Sequence, residues 1–360
     1  MHKVGPIVQH RRRSSSPQIF WYAARKPGKL AAMDLAPPAV PVSATISGWT
    51  RRRKLSVLPV SASSIALFRL GEQCNNKCPM CSNSGRPEAW FQKADDLLRR
   101  ADFLARRGVR RVVLTGGEPT IHPGFWDVVA RVNAHGMRWD INTNGRSFAD
   151  PAFAERAATG GLLRAIVSLH SQEVAASMMI SGVTARGHDE IVAGIAELAR
   201  AGIPLLLNCV LTRQNLHHLD EYVTFCRGLA PDAVLKFCFP TTTGKGGGWD
   251  GIHLTYAEVK PVVAAIQRRC QTLGMGVTFE ALPACVVGDA SARNLSRSGF
   301  GETHYLDDVT GDRLYSIAHI EAELSCYPPV CAGCRARGQC PGIGIDYAAR
   351  LQPGELEPFR

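Results

Sequence analysis

The feature that most constrains the fold of this chain is an alternation that begins near Ser64 and continues to about residue 282. Short apolar runs lie at 65–71, 109–117, 137–145, 162–171, 202–212, 233–239 and 275–282. Between them, at 88–107, 124–136, 150–159, 187–201, 215–228 and 255–273, apolar residues recur at helical spacing. Successive strands joined through amphipathic crossovers pair in parallel, because a parallel connection needs the length of a helix. Six strand–helix units predict an α/β fold, a partial (β/α)6 TIM-like barrel. In such barrels reactive groups sit at the C-terminal ends of strands.

Those ends are where the unusual residues fall. The first run leads into GEQCNNKCPMCSNSG (71–85), where Cys74, Cys78 and Cys81 stand at Cys-x3-Cys-x2-Cys spacing. So short a segment cannot be a helix that aims all three thiols at one point, so it is expected to be a loop wrapped around something. Thiolates select soft metals and iron–sulfur clusters. A four-iron cluster normally takes four cysteines; three leave one metal position open, the mark of a site that does chemistry. A zinc knuckle is the competing reading. Gly116, Gly117, Glu118 and Pro119 follow the second run, and Thr143, Asn144 and Gly145 the third. Ser168 and His170 end the fourth, and Asn208 lies towards the end of the fifth.

Together these residues resemble the signature of the radical S-adenosylmethionine (radical SAM) enzymes. The resemblance implies a [4Fe-4S] cluster on Cys74, Cys78 and Cys81 whose open iron chelates S-adenosyl-L-methionine. It implies one-electron cleavage to a 5′-deoxyadenosyl radical, with the electron delivered by a donor such as flavodoxin or ferredoxin. GGEP at 116–119 resembles the motif that holds the methionine amino group. An ammonium needs carbonyls or a carboxylate, and glycines let the backbone come close. Thr143, Asn144 and Ser168 match positions lining the SAM pocket, and Asn208 one facing the ribose. Without the resemblance, GGEP is an ordinary tight turn and the polar residues are satisfied strand ends. Arg186 and Arg213 are within consideration for the SAM carboxylate, or are surface arginines.

A second cysteine field lies at 326–347, CYPPVCAGCRARGQCPGIGIDY, with Cys285 upstream. Cys331-x2-Cys334-x5-Cys340-Pro-Gly resembles the truncated SPASM ("twitch") appendage of radical SAM enzymes, which binds an auxiliary [4Fe-4S] cluster. The ligand set this implies is Cys285, Cys331, Cys334 and Cys340, with Cys326 competing for the fourth place. A zinc ribbon accepts similar spacings.

Several features stay open at this level. If Asn208 points into the barrel, alternation puts Leu206 and Val210 inside and Cys209 outside. On the sixth run Lys236 and Cys238 share one face, and Leu235, Phe237 and Phe239 the other; either face can be the inner one. PTTTGKGGGWDG (240–251) lacks Walker spacing and is either a lid or a plain loop. GFGETHYLDD (299–308) is a candidate bridge presenting His304 or Tyr305 to substrate.

Charge and cysteine usage narrow the class. The formal net charge is +11, yet residues 1–54 hold eleven Lys/Arg against one acid, Asp34, while the rest holds 31 basic and 30 acidic residues. The body is nearly neutral, so no nucleic-acid groove is expected. No apolar run approaches the ~18 residues a membrane span needs. Twelve cysteines in clustered spacings, without a signal-peptide core, suggest metal sites in a reducing, cytoplasmic compartment. The expected organisation is a disordered basic segment at 1–54, a barrel at 55–280 beginning with LSVLPV as an edge strand, and an auxiliary-cluster domain at 281–350. The basic segment also reads as a transit peptide, or as an extension ahead of a start at Met33. The expected substrate is a small molecule or a peptide; with no peptide-recognition domain expected before the barrel, the tilt is to a small substrate or a peptide delivered by another protein. The enzyme that opens molybdenum-cofactor synthesis is similar in outline, but the auxiliary spacing and the Glu-Pro-Phe-Arg ending depart from it. The rival class is a non-catalytic iron–sulfur electron carrier.

Overall fold

The computed structural model describes residues 50–51, 64–82, 91–242, 248–289, 303–306 and 313–360. The LSVLPV segment and residues 243–247 of the glycine-rich loop lie outside them.

The alternation produces seven consecutive parallel strands: β2 (Ile65–Arg69), β3 (Arg111–Thr115), β4 (Arg138–Thr143), β5 (Leu162–Ser168), β6 (Leu205–Val210), β7 (Val234–Cys238) and β8 (Gly276–Glu280). The crossovers carry α1 (Ala94–Arg106), α2 (Phe125–Ala134), α3 (Pro151–Thr159), α4 (Val174–Ser181), α5 (Ala185–Arg200), α6 (Leu219–Leu229) and α7 (Tyr256–Leu273). Local signals set their ends. Asp150 caps α3 ahead of Pro151, Thr184 caps α5, and Thr255 with Glu258 forms a capping box on α7. With β9 (Thr303–Leu306) and β10 (Leu314–Ser316) added at one edge, the sheet order is β10-β9-β2-β3-β4-β5-β6-β7-β8, open between its two edges, so the barrel is partial.

One helix was not expected. α4, VAASMMIS, is apolar on every face and so shows no amphipathic period. Strand β9 (Thr303–Leu306) also corrects an expectation. It pairs in parallel with β2, placing His304 opposite Ala66, and β10 (Leu314–Ser316) pairs antiparallel to it. His304 is 2% exposed, on the same face of the sheet as the fully buried Ala66, turned from the barrel interior. Tyr305 pairs with Leu67 and faces the other way.

The two faces of the sheet have different work. Phe68, Leu114, Trp139, Val167, Leu207, Cys209, Leu235 and Phe237 are buried between sheet and helices. The opposite face lines the barrel. Ile65, Val113 and Ile166 pack there with Leu67 and Leu206, and fully buried Asp140 binds Arg111 at 2.7 Å and Arg164 at 3.2 Å. Asn208, Lys236 and Cys238 alternate with the helix-facing residues and therefore point inward. This settles the open choice on β7 in favour of the polar pair.

The C-terminal region also redraws the expected boundaries. Thr50–Arg51 (β1), inside the segment expected to lack structure, pairs with β11 (Ser325–Tyr327), which pairs in turn with β12 (Ile343–Gly344). Residues 303–306 and 314–316 belong to the barrel sheet. The remainder carries α8 (Ala284–Val287), α9 (Ile317–Glu323) and α10 (Ile345–Ala348). It docks on the barrel through Phe239, Tyr256 and Tyr347, with ring centroids 4.7 and 4.2 Å apart along the cluster. Buried Glu355 accepts the first amide of α7, from Tyr256, at 2.8 Å, and the Tyr347 hydroxyl donates to the same carboxylate.

Candidate functional site

The cysteine loop leaves β2 and lies directly against the glycine motif. The Gly117 amide donates to the Gly71 carbonyl at 2.9 Å, and the Glu118 amide to the Gln73 carbonyl at 2.8 Å. A Cβ on Gly117 would stand 2.3 Å from the Gln73 carbonyl oxygen, and one on Gly116, at φ +144°, 2.4 Å from that of Gly71. The glycines therefore let the loop itself approach. Pro119 opens a short 3-10 turn capped by Glu118.

Glu118 is the hub of the next layer. Its carboxylate is 2% exposed. One oxygen accepts from the hydroxyls of Thr120 at 2.7 Å and Thr143 at 2.8 Å; the other accepts the Asn144 amide at 2.7 Å. Burial pushes this carboxyl up, and the hydrogen bonds from Asn144, Thr120 and Thr143 pull it back. Thr143 also accepts the Gly145 amide at 3.0 Å. The Asn144 side chain donates to the Asn75 side chain at 2.6 Å and lies 3.9 Å from the Cys74 sulfur. Glu118, Thr143 and Asn144, all expected at the SAM site, use these polar groups to brace the loop.

Further braces were invisible in the sequence. Arg146 donates to the Asn75 carbonyl at 2.6 Å and to Glu190 at 2.8 Å. The Cys78 thiol donates to the Ser181 carbonyl at 3.3 Å, at the end of α4. Gly182 closes that helix at φ +58°, and a Cβ there would sit 2.2 Å from the Lys77 carbonyl. No motif marks Arg146, Glu190 or α4, because each meets the loop only through the fold.

The three thiols are electrostatically coupled. Burial pushes Cys74 up to about 11, with Glu118 and Cys81 adding to the rise. Burial, then Cys81 and Cys74, push Cys78 up to about 12. Cys74 and Cys78 therefore resist ionising in the absence of a cation. A metal centre, which deprotonates coordinating thiols, fits the set.

The inner barrel wall continues from the loop. Ser168, Asn208, Lys236 and Thr278 are successive cross-strand partners, forming one polar row. The Cys238 thiol donates to the Asn208 side-chain oxygen at 3.1 Å, and Lys236 binds Glu280. Behind the row, His170 accepts the Val210 amide on Nδ1 at 3.2 Å, and burial pushes its imidazole down to about 4. Arg186 is bound to Glu190 at 3.0 Å on the exterior, and Arg213 donates to the His253 carbonyl at 2.7 Å. Neither joins the loop.

The second cysteine field converges on a cavity lined by Cys285, Cys331, Cys334 and Cys340, together with Tyr327, Arg337 and Leu356. Cys340 sulfur accepts the amides of Ala284 and Gly342, both at 3.3 Å. Burial pushes Cys331 up to about 12, reinforced by Cys285, Cys340 and Cys334. Cys326 is buried in the β11–β12 pair, its thiol directed at the Ile343 carbonyl, and does not line the cavity. Among the described residues no three thiol, imidazole or carboxylate groups meet closely enough to enclose a single ion; the four thiols ring a space instead. No helix among the described residues is long and apolar enough to cross a membrane.

Comparison with known proteins places this geometry. Residues 68–226 match the model of the radical SAM superfamily. Mycofactocin maturase MftC of Mycobacterium tuberculosis is 28% identical over 248 residues, 68% of this chain and 62% of that protein. A probable GTP 3′,8-cyclase of Sulfurisphaera tokodaii is 32% identical over 155 residues, 42% of this chain and 48% of that one. Streptococcus suis SuiB, solved bound to S-adenosylmethionine, superposes with a TM-score of 0.54 at 17% identity, covering 69% of this chain and 59% of that one. The chain thus spans about half to three-fifths of the length of these proteins.

Proposed function

From the premise that this chain belongs to the radical SAM superfamily, whose model its residues 68–226 match, we propose that it is a radical SAM oxidoreductase or maturase acting on a peptide or small molecule. Cys74, Cys78 and Cys81 would hold the [4Fe-4S] cluster, leaving one iron for S-adenosyl-L-methionine. When bound, this pair supplies a 5′-deoxyadenosyl radical able to remove hydrogen from an unactivated carbon.

The chain's own residues supply the rest. The backbone of Gly116–Glu118 would offer carbonyls to an ammonium, while Ser168 and Asn208 would offer neutral polar groups to a ribose without burying a charge. Glu118, Asn144 and Arg146 fix the loop so that the thiols need no reorganisation. The barrel wall would confine the radical to the substrate beside it and keep other hydrogen donors away. Cys285, Cys331, Cys334 and Cys340 would hold the auxiliary [4Fe-4S] cluster. With four thiols around one cavity its coordination closes, which favours an electron-accepting role over direct substrate binding.

The observation that carries this reading is the convergence of two separated motifs, Cys-x3-Cys-x2-Cys and GGEP, into one hydrogen-bonded unit at the C-terminal ends of β2 and β3. The maturase among the relatives favours a peptide or a peptide-derived substrate. The electron donor would be a flavodoxin or ferredoxin. A plain electron carrier would have no use for the inward polar row of Ser168, Asn208 and Lys236. The test is anaerobic reconstitution, reduction with dithionite in the presence of S-adenosyl-L-methionine, and chromatography for 5′-deoxyadenosine. Its formation is expected; its absence from protein shown to contain the clusters would defeat the proposal.

A further inference from the structure

The segment Glu355–Arg360, beyond the expected end of the auxiliary domain, runs back across the C-terminal thiols. Leu356 and Pro358 line the cavity beside Cys285, Cys331, Cys334 and Cys340, and Leu356 is only 6% exposed. The Glu357 backbone amide lies against the Cys285 sulfur. The segment is tied down on both sides. The Arg335 amide donates to the Phe359 carbonyl at 3.0 Å, Arg360 donates to the Ala332 carbonyl at 2.8 Å, and Lys260 holds the Glu357 carboxylate at 2.6 Å. Phe359 packs against the cluster of Tyr327, Ala336 and Cys340.

We propose that residues 356–360 form a strap that completes the auxiliary cluster site, in which the Glu357 amide tunes the cysteine sulfurs and Leu356, Pro358 and Phe359 keep water and chelators out. The inference rests on the reading of the four thiols as a cluster site. Amides directed at thiolate sulfur stabilise negative charge there, and so favour the reduced cluster. Ala284 and Gly342 direct their amides at Cys340, and the strap adds that of Glu357 at Cys285. It joins the site from outside the spaced cysteines, so no spacing motif reveals it. Glu357 and the strap are positioning residues: they act on the cluster through its ligands.

The experiment uses the full chain carrying Cys74→Ala, Cys78→Ala and Cys81→Ala, so that only the auxiliary cluster is read. In that background we compare Glu357→Pro, Glu357→Gln and a chain ending at Glu355. Ending there retains the carboxylate that caps α7. Glu357 precedes Pro358, which already favours an extended backbone, so proline removes the amide with little change of path. Two readouts are taken: iron release to EDTA, followed by visible absorbance, and the midpoint potential, followed by electron paramagnetic resonance. The shortened chain is expected to release iron about 10-fold faster or more, the effect of removing a hydrogen-bonded partner of a metal ligand. Glu357→Pro is expected to move the midpoint to a more negative value. Glu357→Gln, which keeps the amide and loses the ion pair, should match the parent. Parent-like release from the shortened chain together with a parent-like midpoint in Glu357→Pro overturns the strap. A background chain that assembles no cluster overturns the auxiliary site and the strap with it, and leaves the SAM-cleavage test of the first site standing.

Discussion

The two thiol sets sit in opposite surroundings. Cys74, Cys78 and Cys81 are three, held by a polar scaffold of Glu118, Asn144, Asn75 and Arg146, and open onto the inward row of Ser168, Asn208 and Lys236. Cys285, Cys331, Cys334 and Cys340 are four, ringed by Tyr327, Pro328, Leu356 and Pro358. On the proposed reading, the first set would admit a ligand and the second would close on its metal. A polar frame fixes a loop by directional bonds and leaves the interior free. An apolar ring excludes water and gains stability by burying its own surface.

The largest effect should come from removing one thiol from each set. Cys78→Ala is expected to abolish 5′-deoxyadenosine formation and to lower iron to about half, from about eight atoms per chain for two [4Fe-4S] clusters. Cys340→Ala should lose the same share of iron yet still form 5′-deoxyadenosine when substrate is omitted. A Cys340→Ala chain that holds its first cluster but cleaves no S-adenosyl-L-methionine would break the division between the two sets.

Acid should act on the polar region through His170. Its folded-state value of about 4 lies below the ordinary imidazole value because burial disfavours the charged ring. The unfolded chain therefore binds the proton first. The stability this residue contributes is complete above about pH 6.5 and is lost as pH falls towards 4. Between pH 7 and pH 5 the loss is about 2 kcal/mol. Guanidinium unfolding of wild type at the two pH values, against His170→Gln, measures it. The variant keeps an acceptor for the Val210 amide and should lack this part of the pH slope; an unchanged slope would show that another group carries it.

What the sequence displayed and what it hid follow from locality. Cys74, Cys78 and Cys81 were legible because their chemistry is complete within one loop, and the seven strands because burial imposes a period on neighbouring residues. The role of Glu118 was not legible: its donors, Thr143 and Asn144, arrive on a different strand. Spacing left Cys326 competing with Cys285 for the fourth place, and the fold puts Cys285 in the cavity and Cys326 in the β11–β12 pair. Strand β9 escaped notice because four residues give too short a pattern, and its partner β2 lies far away in sequence. α4 escaped because its apolar residues do not favour a face.

Within the open site, Asn208→Ala is the more selective probe. The residue faces the barrel and accepts from the Cys238 thiol, so its removal leaves no charge unpaired. Losing one neutral hydrogen bond to a ribose costs about 1 kcal/mol, or roughly a fivefold rise in KM for S-adenosyl-L-methionine. Iron content and the rate at saturating cofactor should hold. A fall in iron content with unchanged KM would instead assign Asn208 to the scaffold, alongside Asn144.

The smallest expected effect belongs to Arg186, which sequence alone left as a candidate for the SAM carboxylate. Its side chain is 89% exposed, and Glu190, one helical turn on, takes its guanidinium. An exposed pair at this spacing is worth about 0.3–0.5 kcal/mol, and salt weakens it further. Glu190 is also held by Arg146, which grips the cysteine loop directly, so the loop keeps its anchor when Arg186 is lost. Arg186→Ala should therefore leave KM for S-adenosyl-L-methionine, iron content and melting temperature within error of wild type, whereas Arg146→Ala in the same assays should lose iron. Equal losses in the two variants would mean that the scaffold reaches one shell further from the thiols than the hydrogen bonds show, and that the contrast between a polar frame and an apolar ring is drawn too narrowly.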